Sequence, residues 1–142
     1  MTATVKGIVI HASVALAWCF PDEASEYADG VLVALEDQTI IVPDIWPLEV
    51  ANALLVGERR RRMRLPEVRR FVELLNGLDI VVEAQPVAVT VSNILPFARE
   101  YVLSSYDAAY LDVAVRQDIP LATLDGALQK AARKAGIKIF DI

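Results

Sequence analysis

Residues 7–20, GIVIHASVALAWCF, contain the first sign of the fold, because a short β-branched run is followed by an uncharged, largely apolar segment. The run predicts a buried strand at 7–10, followed by a turn and a short helix. The alternative is the apolar part of a secretory signal peptide, in which residues 15–17 resemble a cleavage site. His11 interrupts that apolar run, and the stretch is too short to span a bilayer. We therefore expect a buried strand and a cytoplasmic protein.

The same kind of run recurs along the chain and alternates with segments of helical spacing. The runs are mostly apolar on both faces, as expected for strands of a parallel sheet that is covered on both sides. The predicted strands are 8–10, 39–42, 80–82, 121–123 and 137–139. The predicted helices are 24–35, 47–62, 66–75, 87–103 (one kinked helix or two, because of Pro96), 107–117 and 126–135. This alternation predicts a three-layer α/β/α sandwich with a mainly parallel central sheet, formed as one domain over residues 1–142.

Composition excludes several classes of protein. The chain has 142 residues, 55% of them apolar, and a formal net charge of −5. An acidic chain is not attracted to nucleic acid by its overall charge, so any such contact needs a local basic patch. The single cysteine, Cys19, excludes an internal disulfide framework and a cysteine-rich zinc site, and the single histidine, His11, excludes a histidine-pair zinc motif.

Polar side chains collect where the predicted strands end. Ligands of open parallel sheets bind beyond the carboxyl ends of the strands, so these residues are the candidates for a site. They are His11 and Ser13 after the first strand, Glu49 after the second, Thr123 and Asp125 after the fourth, and Asp107 at the start of the preceding helix.

Each carboxylate also has a structural interpretation. Asp125 and Asp107 can cap or complement a helix N-terminus, and Glu49 can lie on a solvated face. The neighbours of Glu49 are apolar or small, however, and a carboxylate in such surroundings is costly unless it is paired or metal-bound. Asn52, one turn later, can orient it.

Four segments in order resemble the motifs of the PIN domain family, especially the VapC-type toxins of prokaryotic toxin–antitoxin pairs. The segments are IVIHASVALAW (8–18), LEVANAL (48–54), SYDAAYL (105–111) and PLATLD (120–125). This resemblance implies a Mg²⁺- or Mn²⁺-dependent ribonuclease with a cognate antitoxin and a homodimeric assembly. By position it implies that Glu49, Asp107 and Asp125 bind the metal and act in catalysis. Thr123 is implied as a further catalytic residue, and Ser13 and Asn52 as polar residues that contact RNA.

His11 departs from the pattern, because the family has aspartate at this position. Mg²⁺ prefers oxygen ligands, whereas imidazole favours Zn, Mn, Fe or Ni. We expect weakened Mg²⁺ binding and a large loss of activity if the missing aspartate is a direct ligand. Three accounts remain open: a variant selected because the active toxin kills its host cell, a natural domain that binds without cutting, or a working site of altered metal preference, with His11 as a ligand.

The chain has one dense basic run, Arg59, Arg60, Arg61 and Arg62, followed by Arg64. It is either a solvated helix end or a rim that contacts RNA phosphates. The first hypothesis is therefore a metal-dependent endoribonuclease toxin impaired by His11, and the second is a non-catalytic PIN-like module that binds RNA or a partner protein. A receiver-like signalling domain is disfavoured, because residues 10–12 lack its paired acids.

Overall fold

Four short parallel strands form the centre of the computed structural model, which describes residues 7–141. Within those residues the sheet order is β3-β2-β1-β4, and every strand pair is parallel. The strands are Gly7–Ile10 (β1), Thr39–Pro43 (β2), Ile80–Glu83 (β3) and Leu121–Ala122 (β4). The predicted α/β class with a parallel sheet is confirmed. The predicted domain, 1–142, also includes residues 1–6 and 142, which lie outside the described residues.

Seven α-helices connect and cover the strands in the described part of the chain. They are Ala12–Cys19 (α1), Glu26–Ala34 (α2), Trp46–Arg59 (α3), Leu65–Asn76 (α4), Val87–Tyr101 (α5), Ser105–Gln117 (α6) and Gly126–Lys134 (α7). Successive residues of a strand point to opposite faces of the sheet, and every residue of β1 is buried. Both faces of the central strand are therefore covered. None of the helices within residues 7–141 is long and apolar enough to cross a membrane.

Most predicted bounds differ from the observed ones by one or two residues, and the last strand and the third helix differ more. The strand predicted at 137–139 is reduced to one parallel bridge between Ile139 and Leu121, because β4 has only two residues to pair with it. The helix predicted to reach Arg62 ends at Arg59, since Arg61 has a left-handed φ of 58° that turns the chain. Pro96 lies within a single continuous α5, which decides between the one-helix and two-helix alternatives.

The parallel arrangement positions the site. Ile10 of β1 pairs with Ala122 of β4, so the residues that follow them leave the sheet side by side. The backbone amide of His11 donates to the carbonyl of Ala122 at 2.9 Å, which extends the contact by one residue. His11 and Thr123 are thus neighbours at the carboxyl edge of the sheet.

Candidate active site

His11 is the centre of a hydrogen-bonded group at this edge. It is the N-cap of α1, with an extended backbone, and it is only 7% exposed. Its Nε2 lies 2.9 Å from Oδ1 of Asp107. A carboxylate can only accept hydrogen bonds, so Nε2–H is the donor in this hydrogen bond. The other ring nitrogen, Nδ1, lies 2.8 Å from Oγ of Ser13 and 3.1 Å from Oγ1 of Thr123. Both nitrogens of the ring are therefore engaged within the protein.

Asp107 is held in the first turn of α6. Its backbone amide donates to Oγ of Ser104, the N-cap of that helix, at 3.1 Å. This cap fixes the start of α6, and the helix N-terminus favours an acidic side chain there. His11, which follows β1, and Asp107, in the first turn of α6, are thus in direct side-chain contact.

Glu49 joins the group through Tyr110. Glu49 lies in the first turn of α3, and its Oε1 accepts a hydrogen bond from the Tyr110 hydroxyl at 2.8 Å. The rings of Tyr110 and His11 meet edge to face with their centroids 4.6 Å apart. Burial of Tyr110, together with the Glu49 carboxylate, raises the pKa of the Tyr110 hydroxyl well above its ordinary range. The hydroxyl therefore keeps its proton and remains a donor to Glu49.

Sequence reasoning missed Tyr110, which lies within the SYDAAYL segment (105–111). A signal was available, because Tyr110 follows Asp107 by three residues and the two therefore share a face of α6. The partner of the hydroxyl was not available from spacing, since Glu49 belongs to a different helix.

The loop after β4 is fastened to the start of α1 and α7. Oγ of Ser13 accepts from the Leu124 amide at 3.0 Å, and Oγ1 of Thr123 accepts from the Asp125 amide at 3.0 Å. Oδ1 of Asp125 accepts from the Leu128 amide at 3.0 Å and so caps α7. The capping interpretation of Asp125 is therefore realised in one of its two oxygens.

The arginines of the basic run differ in their surroundings. Arg62 donates to carboxylate oxygens of Asp22 and Glu23, and its guanidinium lies 4.2 Å from the centroid of the Phe20 ring. The hydrogen bond from Arg62 lowers the pKa of Asp22. The remaining arginines of the run, Arg59, Arg60 and Arg61, are exposed. Asn52 is also exposed, on the helix that carries Glu49.

Among residues 7–141, no three or more His, Cys, Asp or Glu side chains are grouped so as to hold a metal ion. The three predicted acidic residues accept instead from protein donors: Asp107 from His11, Glu49 from Tyr110, and Asp125 from the start of α7. The three carboxylates lie at the same edge of the sheet, but each accepts a hydrogen bond from a different donor.

The fold and the site together define the class: an α/β protein with a polar, carboxylate-bearing site at the carboxyl edge of a parallel sheet. The model of one protein family, the PIN domain, matches residues 8–134. The chain belongs to the PIN domain family, which confirms the resemblance seen in its four segments.

Relatives of known sequence and structure agree with this assignment. Ribonuclease VapC3 of Pyrobaculum aerophilum is 31% identical over 85% of this chain and 91% of its own length. The crystal structure of PAE2754 from the same organism has a TM-score of 0.63 at 23% identity, covering 90% of this chain and 80% of the other. That of FitAcB from Neisseria gonorrhoeae has a TM-score of 0.61 at 19% identity, covering 94% and 96%. These two structures share the fold.

Proposed function

We propose that the chain is built as an endoribonuclease toxin of a type II toxin–antitoxin system, with its catalytic site impaired by His11. The observation that carries this proposal is the 2.9 Å hydrogen bond from His11 to Asp107, at the position where the family pattern has aspartate. Membership of the PIN domain family and similarity to Ribonuclease VapC3 support the ribonuclease part. The shared sheet edge of Glu49, Asp107 and Asp125 supports their role as the acidic site.

A divalent cation is the cofactor that this proposal implies. Mg²⁺ or Mn²⁺ would activate water and neutralise charge on a phosphodiester. The residues as they stand do not fit such an ion, because Asp107 is bonded to an imidazole N–H where the resemblance implies a second carboxylate. A cation at Asp107 would have to displace that hydrogen bond. It would then lie beside the His11 imidazole, whose nitrogen is a poor ligand for Mg²⁺. We therefore expect little binding of Mg²⁺ and little cleavage of RNA by this chain.

RNA contact is assigned to groups other than the acidic residues. We assign Arg59, Arg60 and Arg61 to contacts with RNA phosphates, because they are exposed on a chain that is otherwise acidic. Arg59 lies about 15 Å along α3 from Glu49, so these contacts fall outside the acidic pocket. Arg62 is assigned a smaller share, since it already pairs with Asp22 and Glu23.

Polar groups nearer the pocket complete the proposed RNA surface. Asn52 is exposed one turn after Glu49 on α3, and Ser13 is partly exposed beside His11. Thr123 is buried, so we assign it to holding Ser13 and the loop after β4 instead of touching RNA directly.

The proposed partners are a cognate antitoxin and a second copy of the chain. Helix α5 carries exposed apolar side chains that suit a protein partner: Val87, Val89, Val91 and Leu95. We further propose a single domain over residues 1–142 that acts in the cytoplasm.

The second candidate is a PIN-like module that binds RNA or a partner protein without cutting. It is favoured by the engagement of both His11 ring nitrogens, which leaves neither of them free for a cation or for proton transfer to a substrate. The two candidates share the fold and differ in whether the site becomes active when the carboxylate is restored.

The test is a pair of assays on the parent chain and on His11→Asp. Calorimetric titration with Mn²⁺ and Mg²⁺ measures binding, and cleavage of a mixed RNA pool measures activity. Binding and cleavage only in His11→Asp support the impaired ribonuclease. Equal cleavage by both chains would mean that His11 is a functional ligand. Absence of binding and cleavage in both chains would support the binding module.

A further inference from the structure

We propose that Tyr110 is a positioning residue of this site, holding the Glu49 carboxylate beside the His11–Asp107 pair without a metal ion. This inference rests on the proposed function for the importance of Glu49. The placement of Glu49 by Tyr110 can be tested on the chain whether or not it cuts RNA.

The first support is the contact itself. The Tyr110 hydroxyl donates to Oε1 of Glu49 at 2.8 Å, from a side chain that is fully buried. Hydrogen bonds to a charged acceptor are stronger than those between neutral groups. The rigid ring has no room to follow the carboxylate if it moves, because Tyr110 is packed in the hydrophobic core. Glu49 is therefore held from a fixed point.

The second support is that Tyr110 contacts both Glu49 and His11. Tyr110 and Asp107 share a face of α6, while Glu49 comes from α3. The Tyr110 ring also meets the imidazole of His11, with an angle of 76° between the planes. One side chain thus contacts Glu49 through its hydroxyl and His11 through its ring.

The third support is the disagreement between the site and a cation. A carboxylate at a metal site is oriented by protein donors as well as by the ion, and the Tyr110 hydroxyl is such a donor for Glu49. Within the described residues no three potential ligands are grouped for a metal. The order of Glu49 should therefore be independent of metal and dependent on one hydroxyl group.

The experiment compares Tyr110→Phe with Tyr27→Phe. Both changes remove one hydroxyl and keep the ring. The Tyr27 hydroxyl donates to the carbonyl of Phe140 at 2.7 Å, so Tyr27→Phe is a matched control at another hydrogen bond. The chain is labelled with ¹³C-glutamate, Glu49 is assigned by Glu49→Gln, and side-chain relaxation is measured with and without EDTA. We expect an ordered Glu49 in the parent and in Tyr27→Phe, unchanged by EDTA, and a mobile Glu49 in Tyr110→Phe.

Two results would overturn the proposal: a Glu49 side chain that stays ordered in Tyr110→Phe, or one that EDTA alone makes mobile. If Tyr110→Phe does not fold, the Cζ chemical shift of Tyr110 in the parent is compared with that in Glu49→Ala, which removes the acceptor. A shift supports the hydrogen bond as the link between the two residues, and an unchanged signal contradicts it.

A second arm joins this inference to the proposed function. In the His11→Asp background, Tyr110→Phe should weaken Mn²⁺ binding by roughly tenfold, the loss expected for one hydrogen bond to a charged group. Tyr27→Phe should leave the binding constant within about twofold. Equal affinity with and without the Tyr110 hydroxyl would contradict the positioning role. If His11→Asp binds no Mn²⁺ at all, the proposed metal site fails, and the relaxation data alone decide the role of Tyr110.

Discussion

Replacing His11 with aspartate should destabilise the chain in the absence of metal and make its stability respond to Mn²⁺. The change removes the N–H that Asp107 accepts at 2.9 Å and places a second carboxylate against it. Two neighbouring carboxylates repel each other, and the Ser13 and Thr123 hydroxyls lie on the side of residue 11 only.

The size of the effect follows from two opposing contributions. Loss of a hydrogen bond to a charged group costs about 1.5 to 3 kcal/mol. Aspartate is a better N-cap than histidine, which returns about 0.5 to 1 kcal/mol at the start of α1. The net loss is about 0.5 to 2.5 kcal/mol, or a fall in Tm of about 2 to 8 °C for a chain of this size.

Metal should reverse this loss in the variant alone. A ligand at one hundred times its Kd stabilises the folded state by about 2.7 kcal/mol, which corresponds to about 10 °C in Tm. Thermal unfolding is followed by circular dichroism for the parent, His11→Asp and His11→Asn, each with EDTA and with Mn²⁺. His11→Asn removes the imidazole without adding a charge, so it should show no gain with Mn²⁺.

Either of two results would refute the reasoning. If Mn²⁺ raises the Tm of the parent as much as that of His11→Asp, the His11–Asp107 hydrogen bond does not compete with a cation. If His11→Asp melts at the temperature of the parent in EDTA, that hydrogen bond contributes nothing to stability.

Three other predictions concern the surroundings of the site. Gly57→Ala should lower the free energy of unfolding by at least about 1 kcal/mol, because its Cβ would lie 2.8 Å from ring atoms of the buried Phe20. An unchanged denaturation midpoint would contradict this packing. Burial raises the pKa of Cys19 to about 11. Alkylation by iodoacetamide should therefore be about a hundredfold slower at pH 8 than for a free cysteine, and its rate should rise with pH until about 11. A rate at pH 8 equal to that of the denatured chain would refute this. Arg60→Ala should weaken RNA binding in a filter assay and reduce the salt dependence of that binding. Arg62→Ala should chiefly lower Tm, because it breaks the ion pairs of Arg62. The opposite pattern would contradict the proposed roles of these two arginines.

Much of the site's location could be predicted because it depends on local patterns and on one rule of parallel sheets. The apolar run before His11 and the run before Thr123 identify two strands. Parallel pairing then places the residues after them side by side. The helix predicted to start at Asp107 starts two residues earlier, at Ser105, because the Ser104 side chain caps it, and Asp107 therefore lies in its first turn.

The contacts that decide the chemistry could not be predicted, because they join distant parts of the chain. The bond between Tyr110 and Glu49 depends on how α6 packs against α3, and periodicity within one helix does not contain this information. The pairing of Arg62 with Asp22 similarly depends on a turn at Arg61 that brings two segments together. Sequence patterns indicated candidate residues at this edge of the sheet, and packing determined their partners.

The partners of the carboxylates explain how this fold can persist while its proposed catalysis is lost. A parallel sheet brings acidic residues to one edge whatever their use, and acidic residues left without partners there would favour unfolding or a bound cation. In this chain protein donors take that role: the imidazole for Asp107, a phenol for Glu49 and a helix amide for Asp125. Only the first of these donors depends on a residue that departs from the family pattern. We therefore expect the choice of histidine or aspartate at residue 11 to decide whether this edge needs a cation, while the strands, helices and other two donors stay in place.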